Sequence, residues 1–148
     1  MLTSEGRAEL VSELATRPGH EKVRALLHRL LVDGLGADSR DIDFEKSVPE
    51  VHGRIDALLG RTVFELKSDL NRERRDAEEG LTRYLTEREG QTGERYVGIA
   101  TDGADFIAYF RKNDRVWVWP MALRSVTTPC SCNIPIWPWS PRPSPGPR

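Results

Sequence analysis

The sequence has no apolar run approaching the roughly 20 residues that a membrane-spanning helix needs. Its opening, "MLTSEGRAEL", lacks the basic start and apolar core of a secretory signal. A cytoplasmic location with no membrane partner is therefore expected. Cysteine is scarce: Cys130 and Cys132 form a lone C-x-C with neither a second pair nor nearby histidines, which excludes the usual structural zinc sites and leaves unligated thiols. Acids are missing after Asp114. All 23 Asp and Glu fall in residues 1–114 against 18 of the 22 Lys and Arg, the other four being Arg115, Arg124, Arg142 and Arg148, so that part carries −5. Composition gives no basic footprint for nucleic acid, and any case for a DNA or RNA substrate must come from a site.

Proline, in contrast, is crowded at one end: eight of the ten lie in residues 120–148, where Lys, Asp and Glu are absent. "PWSPRPSPGPR" cannot form a helix or an inner strand, because proline removes amide donors and fixes φ. The organisation expected is one domain over residues 1–120 and a disordered or loosely attached Pro-rich tail over 121–148. The tail reads either as a linker toward a further domain or as sequence read through after a frameshift or truncation.

Within the domain, periodicity predicts a short helix over 4–15. A second follows, with Val23, Leu26, Leu27, Leu30, Leu31 and Leu35 on one face and Gly34 and Gly36 placed to stop it. "DIDFEKSV" alternates as a half-buried strand ending at Pro49. "GRIDALLGRTVFELKSD" supplies two more strands. A helix over 70–89 buries Ala77, Leu81, Tyr84 and Leu85 and is expected to stop at Gly90. "RYVGIA", "DFIAYF" and "RVWVW" complete the pattern as strands, with "TDGA" turning the chain. The fold class implied is α/β, a mixed sheet with helices packed on it.

The hairpin at 53–69 carries the chemistry. A two-residue turn on Gly60-Arg61, with glycine taking the positive φ, makes the numbers of cross-strand partners sum to 121. Leu58 then faces Val63, Asp56 faces Glu65 and Arg54 faces Lys67. Directly opposed side chains share a face with Cβ atoms about 5 Å apart, and like charges so placed repel. A divalent cation relieves two opposed acids: Mg²⁺ prefers carboxylate and carbonyl oxygens and leaves positions for water and phosphate. Lys67 would orient or deprotonate the attacking water, or stabilise charge on the phosphate. The plainer alternative is two cross-strand ion pairs, Asp56 and Glu65 neutralised by Arg54 and Lys67 on a solvated face.

At these residues the sequence resembles the PD-(D/E)-x-K nuclease superfamily, with its restriction-endonuclease-like fold. Asp56 matches the first acid, Glu65 the second and Lys67 the lysine. The order of elements from about 19 to 110 is similar to that family's core of helix, three strands, helix and strand. More narrowly, "VPEVHGRIDALLGRTVFELKSDL" with "RYVGIATDGADFIAY" resembles the N-terminal nuclease region of restriction-modification polypeptides, in which a methyltransferase part follows.

The resemblance implies a Mg²⁺-dependent endonuclease acting on DNA, with Mn²⁺ able to substitute. Asp56, Glu65 and the Leu66 backbone carbonyl would ligate the metal, with Lys67 assisting the water. Glu21 matches a further acid of the family's first core helix, though an acid in a first helical turn also simply complements the helix dipole. A methyltransferase or specificity part and a second copy of the chain are the protein partners implied.

Two departures stand out. The proline that names the motif is replaced by Arg54-Ile55 ahead of Asp56, and Gly80 stands four residues before Tyr84, where many restriction-type members carry Gln. Arg54 and His52 are candidate phosphate contacts, His52 equally a surface histidine. Arg72, Arg74 and Arg75 share their run with Glu73, Asp76, Glu78 and Glu79, which reads as a solvated helix face with internal ion pairs. Trp117 and Trp119 suggest an edge-strand contact surface. Two other functions stay open at this point: an inactive DNA-binding or docking module of the same fold, and a small repair or junction-resolving nuclease.

Overall fold

A computed structural model describes residues 2–48, 53–112 and 115–122. His52, both cysteines, Trp137, Trp139 and all of the expected tail beyond Ala122 lie outside the described residues.

Helix α1 (Ser4–Leu14) starts where the Thr3 side chain accepts a hydrogen bond from the Gly6 amide at 3.1 Å. Helix α2 (His20–Arg29) buries Val23, Leu26 and Leu27, as the period predicts. Its end differs from expectation: over Leu30–Gly34 the coil widens into a π turn, with the Leu35 amide donating to the Leu30 carbonyl five residues back at 3.0 Å.

Three antiparallel strands follow, β1 (Ile42–Val48), β2 (Gly53–Leu59) and β3 (Thr62–Leu66). Helix α3 (Leu70–Thr92) crosses from β3 to β4 (Val97–Thr101), which lies parallel to β3; β5 (Asp105–Lys112) and β6 (Arg115–Ala122) then run as a meander. The protein is thus α/β, a six-stranded mixed sheet in sequential order flanked by helices. Strand β6 extends two residues past the expected domain boundary at 120, carrying Pro120 on an edge strand, the position in a sheet where proline is tolerated.

Each face of the sheet has its own core. Val63, Ala100, Ile107 and Tyr109 pack against Leu70, Ala77, Leu81, Tyr84 and Leu85 of α3. On the other face Ala57, Phe64, Leu66 and Phe106 meet Leu10, Leu14, Val23, Leu26 and Leu27 of α1 and α2. Tyr84 is a core residue, edge-on to Tyr96 with ring centroids 6.3 Å apart.

Helix α3 does not stop at Gly90. It runs on to Gly93, whose left-handed φ of 69° closes the last turn with its amide on the Glu89 carbonyl. Gly90 is tolerated because a single glycine costs about 1 kcal/mol, less than the packing of the surrounding turns supplies. Glu89 itself is buried; it accepts the Tyr96 amide at 2.9 Å and pairs with Arg95 and Arg111 at 3.2 and 3.6 Å, tying the end of α3 to β4 and β5.

The start of α3 is fixed just as firmly. Asp69 caps it by accepting from the Asn71 amide at 2.9 Å, and Glu73 reaches back to the Ser68 amide at 2.9 Å. The fully buried Asp102, in the turn after β4, accepts the Leu70 amide at 2.9 Å. One residue beyond β3, the Lys67 amide donates to the Thr101 carbonyl of β4 at 2.9 Å.

Candidate active site

The β2–β3 turn forms as the sequence predicts. Gly60 has φ 57°, Arg61 is not among the positive-φ residues, and Leu58 faces Val63 with the expected sum of 121. The ladder then ends sooner than the parity rule implies. The last bonded pair is Ala57 with Phe64, so Asp56 does not pair with Glu65 across the ladder. Instead the strands part, and the Asp56 carboxylate accepts the Leu66 amide at 2.6 Å. The Asp56 oxygen takes over a donor at the point where the ladder ends.

Arg54 does not pair with Lys67 either. Its backbone pairs with Ser47 of β1, and the Lys67 amide has gone to β4. Of the two ion pairs that the sequence offered as the plainer alternative, the one between Glu65 and Lys67 forms, within a single run rather than across the hairpin.

What the divergence brings together is compact. Leu66 sits between Glu65 and Lys67, so its amide fastens Asp56 to the middle of the E-x-K run. Phe64 and Leu66 turn into the α1/α2 core, leaving Glu65 and Lys67 on the α3 side. Lys67 Nζ lies 3.0 Å from Glu65 Oε1, with side chains only 15% and 19% exposed.

Burial pushes the Glu65 carboxyl above its ordinary range; Lys67 opposes that shift, and the charges of Asp56 and Asp76 reinforce it. For Lys67 burial acts to lower the value, but hydrogen bonds to Asp76 and Glu65 outweigh it and hold the ammonium above the usual lysine range. A lysine held protonated in this way stabilises negative charge and orients a nucleophile; it is a poor base.

Two residues at this site carried no functional signal of their own in the sequence. Asp76, read as one charge of a solvated helix face, reaches Lys67 Nζ at 2.5 Å from α3, and Lys67 in turn lowers the Asp76 pKa. The available clue is spacing: Asp76, Gly80 and Tyr84 are four apart and share one stripe of the helix. Gly80 does face the site, since a Cβ built on it would lie 3.9 Å from Glu65 Oε1. The other is His20, at the start of α2, whose Nε2 lies 3.4 Å from Asp56 Oδ1.

Glu21 is set one step away, exposed, with Oε1 3.4 Å from both His20 Nδ1 and Arg24 Nη2. His20 thus stands between Glu21 and Asp56. Elsewhere on α3, Arg75 meets Glu79 at 2.8 Å as an ion pair within the run, and Arg72 lies 3.6 Å from Asp69.

Among the described residues, no three His, Cys, Asp or Glu side chains gather into a group that could hold a metal ion. Asp56 and Glu65 offer two carboxylates. That donor set fits Mg²⁺, which is commonly held by one or two carboxylates and completes its octahedron with water and phosphate oxygens. It does not fit a closed, all-protein cage. Burial, together with the charges of Asp56 and Asp76, raises the Glu65 carboxyl, a balance that an added cation would improve.

The fold and site together define an α/β protein with an acid, acid, lysine constellation on a hairpin at the sheet's centre. Compared with protein-family models, curated proteins and solved structures, the chain matches none of them. Among the described residues no helix is long and apolar enough to cross a membrane.

Proposed function

We propose that this domain is a Mg²⁺-dependent endonuclease that hydrolyses DNA phosphodiester bonds. Its core would be the restriction-endonuclease-like one, and it would act in the cytoplasm as part of a restriction-modification or related defence enzyme. The reading is supported chiefly by one arrangement: Asp56 bonded at the Leu66 amide, with Glu65 and Lys67 in contact on either side of that residue.

Asp56 and Glu65 would hold Mg²⁺ or Mn²⁺, which supplies Lewis acidity toward a phosphate oxygen and makes water more acidic. The Lys67 ammonium, fixed beside Glu65, offsets charge that builds on the phosphate oxygens in the transition state. A water oxygen bonds to phosphorus while the bond from phosphorus to one sugar oxygen breaks, and the water proton ends on the departing oxygen. The Leu66 amide keeps Asp56 oriented so that one carboxylate oxygen stays committed to the hairpin.

Purified protein is expected to nick plasmid DNA with Mg²⁺ or Mn²⁺ and not with chelator present. Glu65→Ala and Lys67→Ala should each lower the rate by roughly 100-fold or more while circular dichroism stays unchanged. Unaltered cleavage in both variants contradicts the proposal. The acidic balance of residues 1–114 favours a second reading, an inactive DNA-binding or docking module of the same fold. Calorimetry that detects no Mg²⁺ binding to folded protein would select it.

A further inference from the structure

We propose that Asp76 is a positioning residue of this site, holding the Lys67 ammonium from the helix side while Glu65 holds it from the strand. The inference rests on the nuclease reading and deepens it. A lysine side chain is a flexible four-carbon stem ending in a compact charge, and one anionic partner leaves that charge many directions to occupy. Lys67 has two partners on separate elements, Glu65 Oε1 at 3.0 Å and Asp76 Oδ2 at 2.5 Å.

The approach of α3 is built into the backbone. The Leu70 amide is bound to the buried Asp102 and the Lys67 amide to Thr101, so the path from Lys67 into α3 is fixed where the helix begins. One turn on, Gly80 lies along Glu65, which shows that this stripe of the helix follows the E-x-K run. Glu65 has a competing duty toward a cation, and Asp76, 77% exposed at the rim, does not. Asp76 is then the carboxylate that keeps Lys67 directed at the phosphate when Glu65 is engaged.

An exposed acid contributes little to stability, so the effect belongs in the rate. The test uses Asp76→Asn and Asp76→Glu in the full chain, with plasmid cleavage kinetics at saturating Mg²⁺ and NMR of the lysine side-chain ε-CH₂ signals. Asp76→Asn should lower kcat roughly 10- to 100-fold, the scale of a small misplacement of a reacting group. KM should not rise, the thermal midpoint should stay, and Asp76→Glu should recover most of the rate. The Lys67 ε-CH₂ signal, ordered in the wild type, should become averaged in Asp76→Asn.

A kcat within twofold of wild type in Asp76→Asn overturns the inference and leaves the nuclease reading standing. If the wild type cleaves nothing, the nuclease reading has failed and the NMR arm alone decides: loss of Lys67 order in Asp76→Asn upholds the hold of Asp76 on Lys67, and an unchanged signal overturns it.

Discussion

Asp102 shows how one side chain can set the frame of a site it does not belong to. It is fully buried, accepts the amides of Leu70, Ala104 and Asp105, and meets Arg17 Nε at 2.8 Å. Burial alone would raise its pKa, but the Asp105 and Leu70 amides and the Arg17 guanidinium outweigh that and hold it below 3.8. A carboxylate depressed in the folded state contributes stability that is fully present above its unfolded value and is lost as pH falls through the folded one. Asp102→Asn should therefore destabilise the fold at neutral pH, and the gap in thermal midpoint between wild type and variant should narrow as pH falls through the folded-state carboxyl's depressed range. A gap constant from pH 7 to acid would contradict this.

Asp102 was not legible in the sequence because its partners Arg17 and Leu70 lie 85 and 32 residues away. Asp56, Glu65 and Lys67 were legible because the hairpin that joins them is local and its turn glycine fixes the count. What the parity rule missed, the early end of the ladder at Ala57, turns on a side chain: the Asp56 carboxylate takes the Leu66 amide.

Helix α3 carries the clearest element-scale lesson, since the three glycines in and at the end of it separate by backbone angle and surroundings. Gly80 and Gly90 have ordinary helical φ, and a Cβ meets nothing closer than 3.9 Å at the first and nothing within 4 Å at the second. Alanine at Gly90 should raise stability by about 1 kcal/mol, and at Gly80 by a similar amount, since both gain only helix propensity. Gly93→Ala, at φ 69°, should destabilise by about 1 kcal/mol instead. Urea midpoints with unchanged slopes would check all three.

The stop at Gly90 was misread because glycine signals a helix end only when the next residues also release the chain. Here Glu89 anchors the following turn to Tyr96 and Arg111. The π turn at Leu30–Gly34 was likewise invisible, because one extra residue in a turn leaves the apolar spacing almost unchanged.

At the scale of the whole molecule, the chain divides its apolar residues between two cores separated by one sheet. The hairpin of Asp56 and Glu65 belongs to that sheet, so both cores support the site. Leu14→Ala in one core and Leu81→Ala in the other, both essentially unexposed, should each cost about 2–5 kcal/mol. Each should lower a single cooperative unfolding transition; two separated transitions would show that the layers fold independently. The element order was readable from period, because helices and strands here keep their periods almost throughout; the division into two cores was not, since it depends on which face each helix covers.

The central claim is that the hairpin's acids and lysine cut DNA with a divalent cation. The most direct measurement is conversion of supercoiled plasmid to nicked or linear form by the wild type and by Lys67→Ala, each with Mg²⁺ and with chelator. Cleavage by the wild type that requires Mg²⁺ and falls roughly 100-fold or more in Lys67→Ala is the predicted result. Equal cleavage by the two proteins, or cleavage that persists in chelator, would contradict the account.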